Sequence, residues 1–69
     1  MIIFTKHVIT RMKERKILRK DVEKVIENPD YIQRENHRII VNKKLNHKTL
    51  EVVFLRENKK TIILTCYFL

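Results

Sequence analysis

Thr49-Leu50-Glu51-Val52-Val53-Phe54-Leu55-Arg56 is the stretch on which the fold turns. In an extended chain Leu50, Val52 and Phe54 fall on one side, and Glu51, Val53 and Leu55 on the other. The runs on either side of it are strand-like too. Beyond Asn58, Thr61 to Leu69 is apolar on both faces, as a central strand is. Before Asn46, His37-Arg38-Ile39-Ile40-Val41-Asn42-Lys43 is β-branched and apolar in its middle. Asparagine tolerates the left-handed backbone of a tight hairpin, and the chain has no glycine to do that work. Three strands in succession on short turns predict an antiparallel meander.

Upstream of Asp30 the period changes. Thr5 is placed to cap a helix from Lys6 to Lys16, its hydroxyl accepting from a first-turn backbone N–H. Val8, Ile9 and Met12 form the apolar stripe of that helix. Ile17 and Leu18 break the phase and read as a corner. A second helix follows from Lys20 to Glu27, with Asp21 in its first turn and Val22, Val25 and Ile26 at core spacing. Asn28-Pro29 ends it, because the residue before proline is pushed out of the helical region. Asp21 and Asp30, flanking this helix, read as helix-end electrostatics. Ile2 to Thr5 is compatible with a short additional edge strand. Neither half buries enough apolar surface alone, so the expected fold is one α+β domain over residues 1–69. In it, two N-terminal helices pack on a three- to four-stranded antiparallel sheet.

Composition narrows the function classes. Sixty-nine residues exclude a second domain and a Rossmann-type cofactor site. Cys66 is the sole cysteine, so no intrachain disulfide forms, and it reads as a small buried hydrophobe. His7, His37 and His47 share no metal-ligand spacing, and no carboxylate pair is set for metal-dependent nuclease work, so neither metal nor cofactor is expected. No run approaches the roughly 20 apolar residues of a membrane span, and Met1 to Lys6 lacks the pattern of a signal peptide. The reading is a cytoplasmic protein. Its 16 Lys+Arg against 8 Asp+Glu give a formal charge of +8, which favours a polyanionic partner.

Chemistry concentrates on the first helix. His7, Arg11 and Arg15 recur every four residues and so lie along one stripe, drifting about 40° per step. An imidazole can exchange a proton near neutral pH, and each guanidinium can hold a phosphate in a two-pronged hydrogen bond. Cleavage of an RNA phosphodiester asks for these groups: a proton shuttle, and fixed positive charge where the transition state gathers negative charge. A solvated charged helix face is the plainer reading of the same stripe. In the second half, Lys43, Lys44, Lys48, Arg56, Lys59 and Lys60 cluster around the two hairpin turns. They predict an electropositive end of the sheet that grips flanking phosphates, or else lysines that protect strand edges. The hydroxyl of Tyr67, on the last strand, is read either as facing the site or as capping the core.

The runs Thr5-Lys6-His7-Val8 and Arg11-Met12-Lys13-Glu14-Arg15-Lys16-Ile17 lead to Asp21-Val22, Val25-Ile26 and Asn28-Pro29, and Thr65-Cys66-Tyr67 closes the pattern. Together they resemble a family of small prokaryotic domains of unknown function in the RelE/ParE plasmid-toxin superfamily, near the BrnT-type toxins. The resemblance implies helices packed on an antiparallel sheet. For the toxin relatives it also implies metal-independent ribonuclease activity held in check by an antitoxin. Carried over by position, it points to His7, Arg11 and Arg15 as catalytic, with Tyr67 as a weaker fourth. Arg19 departs from the pattern, standing where a Ser or Thr helix cap is usual. The expected partners are RNA, free or ribosome-associated, and a small acidic antitoxin. A non-catalytic nucleic-acid-binding module and a basic domain docking an acidic protein are the alternatives.

Overall fold

The change of period at Asp30 is a change of layer in the structure, a computed structural model that describes residues 1–69. The elements run β1 (Ile2–Phe4), α1 (Lys6–Arg15), α2 (Arg19–Glu27), β2 (Tyr31–Glu35), β3 (Arg38–Leu45), β4 (Lys48–Glu57) and β5 (Lys60–Phe68). The sheet has five strands in the order β1-β5-β4-β3-β2. Strands β3 to β5 form the expected antiparallel meander and β2 extends it, whereas β1 lies parallel to β5, pairing Ile2 with Thr61 and Phe4 with Ile63. The α+β architecture is as the sequence predicts, but the sheet is mixed and one strand larger. Tyr31–Glu35 is the unforeseen strand. All five of its residues are exposed, so no apolar alternation marks it.

The turns obey the chemistry read from the chain. Asn36, Asn46 and Asn58 have φ of 54°, 59° and 46°, and Lys59 joins Asn58 at 67°. Positive φ at both central residues is the type I′ requirement, so the β4–β5 hairpin twists with its strands. Thr5 accepts from the Val8 amide at 3.3 Å, capping α1. At the other end Lys16 takes the left-handed conformation and its amide bonds back to Lys13. The Ile17 amide reaches the Met12 carbonyl at 2.9 Å. These two bonds close a Schellman motif without glycine and turn Ile17 into the core. The second helix starts one residue early, at Arg19. Leu18 precedes it without a side-chain cap.

Val8, Met12, Ile17, Val22 and Val25 from the helical layer meet Val41, Leu50, Val52, Phe54, Ile63 and Cys66 of the sheet. Each such side chain, fully buried, contributes about 1.5–3 kcal/mol. The uneven alternation of the last strand has a cause in this packing. Val53 pairs with Thr65 but Phe54 pairs with Ile63, so Leu64 is an extra residue on β5. That bulge lets Ile63 and Cys66, three apart, both face the helices. No helix is long and apolar enough to cross a membrane.

Candidate nucleic-acid interface

The stripe on α1 does not present its three heads alike. Val8 and Met12 mark the buried side of the helix. A drift of about 40° per four residues therefore carries the stripe from solvent toward the sheet as it climbs. His7, farthest round, is open to solvent. Arg11 is exposed and pairs with Glu14 at 3.2 Å, their side chains 48% and 57% accessible. Such a surface pair is worth roughly 0.3–0.5 kcal/mol, so an arriving phosphate displaces Glu14 readily. Arg15 has come far enough round to reach the sheet, where its guanidinium donates to the Cys66 carbonyl at 2.9 Å. Both arginines are exposed, but they differ in partner: the Arg11 guanidinium pairs with a displaceable carboxylate, and that of Arg15 with the backbone of β5.

Tyr67 is also apart from the stripe. Cys66 faces the helices, so its neighbour Tyr67 points to the opposite face of the sheet. There its hydroxyl donates to Glu51 Oε2 at 2.5 Å, while Asn42 Nδ2 donates to Glu51 Oε1 at 3.2 Å. The Glu51 carboxylate holds the phenolic proton, and with partial burial it pushes the Tyr67 pKa up. Tyr67 thus neither caps the core nor joins His7. Beside it the uncovered face carries a hollow of about 470 Å³, floored by Ile40, Val53 and Leu64 and rimmed by Arg38, Thr65 and Tyr67. Sequence reasoning passed over Arg38, Asn42 and Glu51, although the strand alternation already set them on one face. What was missing was the register that puts Asn42 opposite Glu51 and Glu51 opposite Tyr67.

The basic clusters of the hairpins form two poles rather than one. An antiparallel meander places successive turns at opposite ends, so Lys43, Lys44 and Lys48 lie at one end and Arg56, Lys59 and Lys60 at the other. Ten-residue β4 separates them by about 30 Å. His47 joins the first pole. The second gains His37 and Arg38 from the β2–β3 turn, together with the Met1 ammonium, which donates to the Lys59 carbonyl at 3.2 Å. Asp30 belongs to the first pole and not to helix-end electrostatics. It accepts from the Lys44 amide at 2.9 Å and pairs with Lys43 Nζ at 3.5 Å. The Lys44 amide chiefly, helped by the Lys43 charge, holds its carboxyl below the usual aspartate range.

Three cations, two of them from the poles, rest on aromatic rings at the rim of the core. Lys48 Nζ lies 4.9 Å from the Phe68 centroid, Arg56 lies 5.6 Å from Phe54, and Arg19 lies 4.9 Å from Phe4. These contacts orient the side chains without neutralising them. Burial keeps the Cys66 thiol, packed behind the Arg15 contact, above its ordinary pKa, with the guanidinium opposing that rise. A thiol in that state is a packing group and not a nucleophile.

A family model described as "Domain of unknown function (DUF4258)" matches residues 4–68, from the end of β1 to the end of β5. The chain belongs to that family. No curated protein matches it, and no solved structure does. The match runs through both helices and the whole meander. The DUF4258 domain therefore carries the open His7–Arg11 surface and both basic poles within the matched span.

Proposed function

We propose that this DUF4258 domain binds RNA through the phosphate backbone, as a toxin-like protein related to the RelE/ParE and BrnT groups. One observation carries the reading. Of 16 Lys and Arg side chains, only Arg11 and Lys43 have a carboxylate within 4.0 Å. Fourteen cations left without an acidic partner repel one another in the folded domain, and a polyanion relieves that repulsion. The two poles give such a polymer two regions to hold, and the α1 surface gives it a third.

Cleavage without metal is the finer reading, favoured by one feature of α1. His7 is open to solvent one turn before Arg11, whose sole partner is easily displaced. In that reaction His7 acts as general acid or base and Arg11 offsets charge on the scissile phosphate. Arg15 holds α1 to the sheet so that the two heads stay in place. A small acidic antitoxin would cover the same cationic surface.

Fluorescence anisotropy with labelled RNA over a series of salt concentrations tests the binding. The affinity should fall steeply with salt, and Lys44→Ala and Lys59→Ala should each lower the logarithmic slope by about 1. His7→Ala should leave binding intact and reduce cleavage by about 10²-fold. Failure to retain RNA at low salt, alongside stable capture of an acidic protein, would replace this reading with a protein-docking one.

A further inference from the structure

The two edges of the sheet are treated differently. Beyond Phe4, where β1 has stopped, β5 has a free edge, and the Arg15 guanidinium occupies its Cys66 carbonyl. A charge set there excludes an incoming strand. On the opposite edge β2 has no such guard. Its five residues keep an unbroken register against β3 from Tyr31–Asn42 to Glu35–Arg38, with no proline or lysine among them. Tyr31 and Ile32 remain 50% and 52% accessible, two of the five large apolar side chains left exposed in the molecule. The local charge also differs from that of the chain. Within β2, Arg34 and Glu35 cancel, so this edge carries no net charge in a protein of charge +8.

We infer that β2 pairs with the β2 of a second copy of this chain, antiparallel about Gln33, to give one ten-stranded sheet. The two-residue turn sets Glu35 opposite Arg38, and hydrogen-bonded pairs alternate along the ladder from there. Tyr31, Gln33 and Glu35 direct their backbone groups to β3. Ile32 and Arg34 turn theirs outward. Centred on Gln33, Ile32 of each copy faces Arg34 of the other, and four backbone hydrogen bonds close the seam. Tyr31 faces Glu35, and no like charges meet.

Competing registers are worse. One setting brings Arg34 onto Arg34, which is repulsive. The setting on the other side runs off the end of β2 onto Asp30, whose backbone amide already donates to the Asn42 carbonyl at 2.9 Å. A slip by a single residue sets the outward backbone groups of Ile32 opposite a residue of the other copy whose groups turn to β3, and no ladder closes. In the favoured register the two-fold axis is perpendicular to the sheet, and both helical layers lie on the same side.

The seam is far smaller than the roughly 1,200 Å² of a standard interface. A seam of this size belongs to the weak, transient class of contacts. Two copies of charge +8 repel, so added salt strengthens this pairing. Salt weakens RNA binding, which keeps the two readings separable, and the inference does not depend on RNA.

Sedimentation velocity over roughly micromolar to millimolar protein, at low and high salt, tests it. The wild type should move toward dimer with concentration and with salt. Ile32→Lys, which sets an ammonium on the seam, should weaken association at least tenfold with the far-ultraviolet dichroism unchanged. Gln33→Cys should form an intermolecular disulfide under mild oxidation, while the wild type, whose one cysteine is buried, should not. A wild type monomeric at every concentration overturns the inference. So does an Ile32→Lys variant that dimerises as tightly as the wild type, or a Gln33→Cys variant that fails to cross-link.

Discussion

Replacing Arg15 with alanine separates the supporting part of the α1 stripe from the presented part. The variant loses a charge-assisted hydrogen bond of 2.9 Å to the Cys66 carbonyl, which spans 51 residues and ties the last turn of α1 to β5. Bonds to charged donors contribute about 1.5–3 kcal/mol, and the lower end applies because the rest of the Arg15 side chain is solvated. A loss of about 1.5 kcal/mol in a domain of this size lowers Tm by roughly 6–12 °C. Arg11→Ala removes only the exposed pair with Glu14, about 0.3–0.5 kcal/mol, so its melt should move by no more than roughly 2–4 °C. Arg15→Lys keeps the charge but offers a shorter reach, and should fall between the two. Thermal melts followed by circular dichroism, with urea titrations at constant slope, give the numbers. If Arg15→Ala and Arg11→Ala melt together, the sheet contact has no structural weight and the division of the stripe is wrong.

Further outcomes follow from other contacts. Tyr67→Phe should cost about 1 kcal/mol by leaving Glu51 with Asn42 alone. Because the fold raises the Tyr67 pKa, its contribution is complete below the ordinary value of 10.0 and is lost as pH climbs through the raised value, so the alkaline fall in wild-type stability should shrink in the variant. Asp30 has the opposite sign. Its lowered pKa adds stability above the ordinary 3.8 that disappears as pH drops through the folded value, and urea midpoints of Asp30→Ala should show a flatter acid limb. Lys16 and Lys59 sit at φ of 56° and 67° with a Cβ, so Lys16→Gly and Lys59→Gly should each stabilise by about 0.5–1 kcal/mol in denaturant melts.

Much of the fold was legible because its signals are local. The Thr5 cap, the Pro29 stop, the three-to-four spacing of Val8, Met12, Val22 and Val25, and the alternation through β4 each lie within a dozen residues. The candidate site was legible only in part. Helical spacing put His7, Arg11 and Arg15 on one stripe, but the residue at its upper end met the sheet, and spacing cannot say where a neighbouring strand will lie. Tyr67 was separated from that stripe by strand parity, which the bulge at Leu64 obscures in the sequence.

The amino-acid sequence by itself settled the two-layer α+β plan, the asparagine turns, the central apolar strands and the excess of positive charge. Each follows from backbone sterics, side-chain period or simple counting. Tertiary structure alone decided that Tyr31–Glu35 is an edge strand, that β1 runs parallel to β5, that the hairpin lysines divide between two ends, and that Glu51 gathers Asn42 and Tyr67. Those features depend on which strands lie side by side and in which direction. Long-range hydrogen bonding and burial of the shared core fix that arrangement, and no short stretch of chain encodes it.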